Sequence, residues 1–515
     1  MTLARKMSPV DTAWLRMDRP TNLMQILGVM LFDGELDLAR LRRVVQERML
    51  THARFRQRVR HEATGYWWVD DPDFDLDNHV RRAALPGKAD KAEMERFVAE
   101  LASQPLNRER PLWEIHIVDT RMGGHALVMR FHHCIADGIA LVNVIMSLAD
   151  DGAPKEVATV AEPAHHSHDD MLWGLVWHPV SRAAELSLRA TSALWSRYWS
   201  WVSNPLQALD YARTGTGLTA EAAKLLLMPK DSDTRFKGHT GLDKRVAWSD
   251  PISLPDVKAV GRVLDSSVND LLLSSVAGAL RAYLVERGDP TDNVEIRALV
   301  PVNLRKAADA GKLGNRFGMV TLELPAGVAN PLARLYETRR RMRAMKHSYQ
   351  PALTLSILGL AGMGPQLVQE QLLDFLANKA TAVMTNVPGP QQALRIAGAR
   401  LRQPFFWVPQ SGSVGMGVSI LSYNNQVQFG LITDRKLVPD PERIVHRFAE
   451  EFDKLLMLVL MEPWECLDDP DVVHAHTALY WDGKPPAVPE RQRLARRSPA
   501  RARAKSPAKG QESAR

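Results

Sequence analysis

The segment Ala126–Phe131 (ALVMRF) reads as a β-strand, yet it runs straight into two histidines, His132 and His133, and then Cys134-Ile135-Ala136-Asp137-Gly138. An apolar stretch, Ile139–Leu148, follows with the pattern of a buried helix. This strand–loop–helix unit constrains the fold most, because a buried strand carrying paired histidines into a helix needs a covered sheet. Gly138 permits a tight turn into the helix. Neighbouring strand residues point to opposite faces, so His132 and His133 are not expected to do the same job. A neutral imidazole is the usual group for taking a proton from an attacking hydroxyl near pH 7. Asp137 lies four residues beyond His133, placed either to orient that ring or to anchor the loop through a cation elsewhere.

The remaining pattern predicts two α/β regions. Ser8-Pro9-Val10-Asp11 has the form of a helix start, with a capping Ser, a first-turn Pro and an acid at the helix N-terminus. Val10, Trp14 and Met17 then recur at helical spacing, and Leu38–Leu50 reads as helix. Later, Val268–Tyr283 is helical, while Ala298–Leu304 and Met319–Leu324 read as strands. Val414–Ser422 and Val427–Thr433 alternate around Asn424-Asn425, which predicts a hairpin. These elements divide the chain into a first domain over 1–150, a linker and helical segment over 151–239, a second domain over 240–480, and a tail over 484–515.

Charge sharpens that division. The chain carries +7, but from Lys484 to Arg515 ten Lys and Arg face only two Glu, so the rest is close to neutral. The tail is rich in Pro, Ala, Arg and Ser and is expected to be disordered, serving solubility or an anionic membrane surface. Nothing else resembles a nucleic-acid module, so no nucleic acid is expected. Five Trp lie between Trp173 and Trp201, interleaved with Arg182, Arg189 and Arg197. That mixture suits a membrane interface, or equally a helix packing its aromatic stripe inward. His165-His166-Ser167-His168-Asp169-Asp170 reads as solvated linker, and no metal is expected. With only Cys134 and Cys466, no disulfide framework is implied. The opening MTLARKMSPVDTAW lacks the apolar core of a signal peptide, and neither His347–Gln369 nor Gln403–Thr433 reads as a membrane span.

HHCIADG resembles the HHxxxDG motif of the coenzyme-A-dependent acyltransferase superfamily. Within that superfamily the chain is similar to the bacterial wax ester synthase/diacylglycerol acyltransferase family. The similarity runs through MSPVDTAWL, through Pro111-Leu112-Trp113 (its PLW motif) and through Asn269-Asp270 (its ND motif). PVNLR (Pro301–Arg305), GNRFG (Gly314–Gly318), TNVPGP (Thr385–Pro390) and the run from Trp407 to Pro439 extend it.

The resemblance implies an α/β fold of two chloramphenicol-acetyltransferase-like domains with the active site in a tunnel between them. His133 matches the catalytic base and His132 a supporting residue, with Asp137 and Gly138 shaping the loop, Asp137 through a structural salt bridge. Pro111, Leu112, Trp113, Asn269 and Asp270 are expected to support the walls, with Asn269 a candidate oxyanion donor. The implied reaction moves an acyl group from acyl-CoA, a substrate rather than a cofactor, onto a fatty alcohol or diacylglycerol at a membrane or lipid-inclusion surface.

No G-x-S-x-G nucleophile elbow occurs, consistent with direct transfer. Cys134 reads as a small buried residue. Arg305 and Arg316 are candidates either for the CoA phosphates or for the partner of Asp137; the CoA-binding residues are otherwise unassigned. Gly359–Gly364, centred on Ala361, reads as tunnel lining or as close helix packing. Two rivals remain: His132 with Asp137 as the H-x-x-x-x-D pair of glycerolipid acyltransferases, and a non-catalytic lipid-inclusion or acyl-CoA-binding protein.

Overall fold

Gln25–Asp33 (QILGVMLFD) is buried along eight of its nine residues, as befits a strand covered on both faces rather than one facing water. Its alternate residues serve two cores. Ile26, Met30 and Phe32 enter one, and Leu27, Val29 and Leu31 the other. The computed structural model describes residues 4–150, 227–305, 313–345, 350–364 and 366–461. The Trp173–Trp201 segment, the His165–Asp170 cluster, Cys466, the 484–515 tail and the whole of 151–226 lie outside the described residues.

The strands of the first half are β1 (Arg5–Lys6), β2 (Gln25–Asp33), β3 (Gln57–Glu62), β4 (Gly65–Asp70), β5 (Val80–Ala84), β6 (Trp113–Asp119) and β7 (His125–His132). Those of the second are β8 (Lys244–Trp248), β9 (Ile252–Ser253), β10 (Ile296–Asn303), β11 (Phe317–Leu324), β12 (Ala382–Pro388), β13 (Arg395–Ile396), β14 (Ala399–Trp407), β15 (Met416–Tyr423) and β16 (Gln426–Asp434). The helices are α1 (Pro9–Arg16), α2 (Leu38–Val44), α3 (Lys91–Ser103), α4 (Gly138–Ser147), α5 (Leu254–Val263), α6 (Val268–Glu286), α7 (Pro331–Met345), α8 (Gln350–Met363), α9 (Gln366–Ala377) and α10 (Pro441–Met461).

One sheet has the order β13-β14-β2-β7-β6-β5, a second β11-β10-β12-β15-β16-β8 with β9 on β16, and a small third β1-β4-β3. The expected mixed α/β architecture is therefore present. The chain crosses over between sheets, however. β14, from within the 240–480 span, pairs antiparallel with β2 from Trp407↔Leu27 to Arg400↔Asp33. The second span thus completes the first sheet as well as building its own. Strand patterning shows that Ala399–Trp407 needs two covered faces, but which sheet edge receives it is a tertiary choice.

Local signals are met where the sequence is strongest. Ser8 Oγ accepts from the Asp11 N–H at the head of α1. Ser267 and Asp270 form a reciprocal capping box at the head of α6. Asn424 and Asn425 take φ 49° and 58°, the left-handed pair of a type I′ turn between β15 and β16. By length and composition α6 alone among the described helices could cross a membrane, yet 72% of it is buried inside the protein.

Gly362 fixes how α8 meets α1. A Cβ built there would sit 1.7 Å from the Pro9 carbonyl oxygen, which is backbone and cannot swing away. Close helix packing is therefore the role of this small-residue stretch. Gly362→Ala should lower stability by about 1–3 kcal/mol and reduce turnover with it, since α1 carries Trp14 and Asp11. Unchanged thermal and kinetic behaviour would refute this packing role.

The halves also meet where Glu95 of α3 accepts a hydrogen bond from the Trp248 N–H of β8 at 3.1 Å. Burial raises the Glu95 carboxyl to about 7. Because the folded value lies above the unfolded one, its protonated form supports the fold below pH 4.5, and that support fades as pH rises through 7. Glu95→Gln keeps the acceptor and removes the charge. Melting curves should show it more stable than wild type at pH 8, by about 1–3 kcal/mol, and equal at pH 4.5; equal melting at both would count against it.

Candidate active site

β7 is a central strand, and its alternation carries the site. Leu127, Met129 and Phe131 face the core that also holds Trp14, Phe317 and Leu421, whereas Ala126 and Val128 face the other core. His133 continues the first set and His132 the second, which is the opposition expected from a period of two. Backbone pairing holds both: His132 N–H donates to Leu112 O at 2.9 Å and His133 N–H to Met24 O at 2.7 Å.

Both rings are buried, at 2% exposure each. His132 Nδ1 accepts from the Cys134 N–H at 3.1 Å, and its Nε2 lies 3.7 Å from Asp18 Oδ2. It anchors the loop from the far face and does not line the cavity beside His133. That geometry disfavours the H-x-x-x-x-D pairing. Asp137 is equally committed elsewhere. One oxygen caps α4 through the Ala140 N–H at 2.9 Å. The other accepts from Arg305 at 2.7 Å and from the Arg316 N–H at 3.0 Å. Arg305 is thus the cation that ties Asp137 down, while Arg316 contributes its backbone. The pair is buried, Asp137 at 3% and Arg305 at 4%, and it joins the two halves.

The His133 ring is held on three sides. Trp14 stacks on it with centroids 4.0 Å apart and planes 14° apart, and Phe317 lies 5.4 Å away. Nδ1 is 2.9 Å from Asn315 Oδ1. Burial pushes the imidazole down to about 4, against the opposing pull of Asp137, of a bond to the residue's own backbone and of the Asn315 bond, so the ring is neutral at pH 7. With Nδ1 engaged, Nε2 is the nitrogen left for chemistry in the cavity.

That cavity lies between the halves. Trp14, Ile26, Asp137, Gly138 and Val142 line it from the first, and Pro301, Asn303, Phe317, Asn386, Ser419 and Leu421 from the second. Its walls are largely apolar, suited to an acyl chain, with a few polar groups near His133.

Other expected residues fall outside it. Trp113 is fully buried, donates its indole N–H to Phe55 O at 2.8 Å and stacks on His79. With Pro111 and Leu112 it braces the edge of β7 rather than the cavity wall. Asp270 caps α6 and makes no wall. Asn269 Oδ1 accepts from Asn386 Nδ2, and of these two it is Asn386 that lines the cavity, as Asn303 does. Ala361 is 2% exposed and is not among the residues lining this cavity, so of its two readings close helix packing is the one its burial fits. Cys134 is fully buried and its thiol is pushed well above 9 by burial, as an inert core residue would be. No group of three or more potential metal ligands occurs among the described residues. The GNRFG block does not show what Asn315 touches, and no local pattern marks Trp14, Asn386 and Ser419 as lining the cavity. The amide inside GNRFG was the available signal.

The fold defines the class. It resembles the wax ester synthase/diacylglycerol acyltransferase of Marinobacter aquaeolei VT8 with a TM-score of 0.60 at 22% identity, covering 88% of this chain and 99% of that one. It also resembles the first condensation domain of the calcium-dependent antibiotic synthetase, with a TM-score of 0.54 at 14% identity, covering 91% and 98%. At these identities the likeness is one of fold, the two-domain chloramphenicol-acetyltransferase-like arrangement. Residues 7–272 match the wax ester synthase/diacylglycerol acyltransferase catalytic domain, and residues 313–456 match the C-terminal domain of the same family. The chain belongs to that family and is an acyltransferase. Among its relatives is a Mycobacterium tuberculosis protein named "Probable diacyglycerol O-acyltransferase tgs1", 26% identical over 420 residues, 80% of this chain and 86% of the relative.

Proposed function

We propose that the protein transfers long-chain acyl groups from acyl-CoA to the hydroxyl of a fatty alcohol, a diacylglycerol, or both, with His133 as general base. The observation that carries this reading is a buried, neutral His133 whose Nδ1 is occupied and whose remaining nitrogen serves an apolar cavity between the halves. Nε2 takes the proton of the acceptor hydroxyl as the oxygen attacks the thioester carbonyl. The tetrahedral intermediate collapses with cleavage of the carbon–sulfur bond, and the imidazolium returns the proton to the CoA thiolate. No covalent enzyme intermediate and no separate cofactor enter the scheme. The substrates are lipophilic, so the enzyme works in the cytoplasm on the inner membrane face or on lipid inclusions.

The test is thiol release from palmitoyl-CoA with hexadecanol or a diacylglycerol supplied separately, the ester being identified by mass. Acceptor-dependent release supports the reading, and the better acceptor names the product. Binding of palmitoyl-CoA without release to either acceptor would replace it with a binding role.

A further inference from the structure

We propose that Asn315 is the positioning residue of the site: its side-chain oxygen holds His133 in the tautomer that is protonated on Nδ1 and bare on Nε2. This deepens the acyltransfer reading and rests on it for the kinetic part of its test.

The orientation of the Asn315 amide is fixed by its own neighbours. Its Nδ2 donates to Asp11 Oδ1 at 2.9 Å and to the His133 carbonyl oxygen at 2.8 Å. A carboxylate and a carbonyl can only accept, so both hydrogens of the amide are used there. Turning the amide over would set its oxygen against two other oxygens in a buried site, where Asn315 is 7% exposed. The oxygen must therefore face the ring, 2.9 Å from Nδ1. An amide oxygen accepts, so Nδ1 carries the hydrogen, and the neutral ring keeps its lone pair on Nε2.

Two further features lock the arrangement. Arg54 holds the opposite oxygen of Asp11 at 2.8 Å and also donates to the Ile135 carbonyl, binding α1 to the catalytic loop. Trp14, one turn along α1, stacks on the His133 ring and opposes its rotation. Asp11 and Trp14 come from one end of the chain and Asn315 from the other half, so the Asn315 oxygen reaches the ring only when the halves are docked. Among the described residues, the other charged or titratable groups beside this constellation are Asp137 with its partner Arg305 on one side, the Cys134 thiol in the loop, and His132 with Asp18 on the far face of β7.

The test uses full-length wild type, Asn315→Leu and Asn315→Asp, labelled with ring-¹⁵N histidine, the His133 signals being assigned by their loss in His133→Ala. Wild type should give a single form with a protonated Nδ1 and a bare Nε2, and Asn315→Leu should lose it. Asn315→Leu should also lower kcat by about 10²–10³-fold while the KM for palmitoyl-CoA stays within about threefold. Asn315→Asp keeps the accepting oxygen and adds charge. It should keep the tautomer and move the acid limb of kcat/KM to higher pH, because the anionic oxygen favours the imidazolium, while its second oxygen, facing Asp11 Oδ1 and the His133 carbonyl, lowers stability.

A wild-type His133 protonated on Nε2 would overturn the proposal, and so would Asn315→Leu with kcat within threefold of wild type. If Asn315→Leu fails to fold, an unmoved acid limb in Asn315→Asp overturns it. If wild type lacks turnover with either acceptor, the acyltransfer reading has failed, and the ¹⁵N spectra alone decide the role of Asn315.

Discussion

His133→Ala should reduce acceptor-dependent CoA release by at least about 10³-fold, whereas His132→Ala should leave turnover within about tenfold of wild type. The contrast follows from where the strand sends each ring. His133 lines the cavity, is neutral through burial, and has its second nitrogen occupied by Asn315. Its removal deletes the only imidazole among the described cavity residues. His132 lies on the far face, where it accepts from the Cys134 N–H and neighbours Asp18. Its removal strands a buried N–H, so the expected cost is about 1–3 kcal/mol of stability, seen in melting more than in turnover. Steady-state assays beside circular dichroism of both variants decide the matter. A reversed order, with His132→Ala the dead enzyme, would return the H-x-x-x-x-D reading to first place.

Arg305→Ala should be among the most damaging substitutions for stability, costing about 3–5 kcal/mol. Asp137 is 3% exposed, and without the guanidinium its carboxylate is left buried with only backbone N–H partners. The same carboxylate starts α4 and accepts from the chain just beyond Asn315, so the loss should loosen the docking of the halves and the catalytic loop together. Asp137→Asn should be harmful as well, since its NH₂ would face either the Ala140 N–H or both Arg305 and the Arg316 N–H. The double variant Arg305→Met/Asp137→Asn should cost less than the sum of the single changes, with a coupling of about 2–3 kcal/mol. Denaturation midpoints of the four proteins measure this directly; additive losses would mean that the pair does not act as one unit.

Much of the site was legible because it is local. A strand ending in His-His and a capped helix beginning at Gly138 fall within one short stretch, and a period of two separates the rings without any tertiary knowledge. The same holds for Ser8 as a cap, for Ser267 with Asp270, and for Asn424-Asn425 as a turn, where neighbouring residues satisfy each other's backbone groups. What was not legible depends on partners far away in sequence. Asn315 meets His133 across 182 positions, and Arg305 meets Asp137 across 168. Ala361 and Asn269 show the converse. Small residues on a helix fit an acyl chain or another helix equally well, and Gly362 against Pro9 decides for the helix. An amide near a family motif fits an oxyanion donor, but of the bonded pair Asn269 and Asn386 it is Asn386 that lines the cavity.

Sequence alone therefore determined the α/β class, the membership signalled by HHCIADG and its companion blocks, and the opposite facing of His132 and His133, because each rests on backbone periodicity or on contiguous residues. Only the tertiary structure decided that β14 closes the first sheet, that Arg305 rather than Arg316 holds Asp137 through its side chain, and that Asn315 faces His133. Those choices are made by long-range pairing and by the satisfaction of buried polar groups, which have no signature in the spacing of residues along the chain.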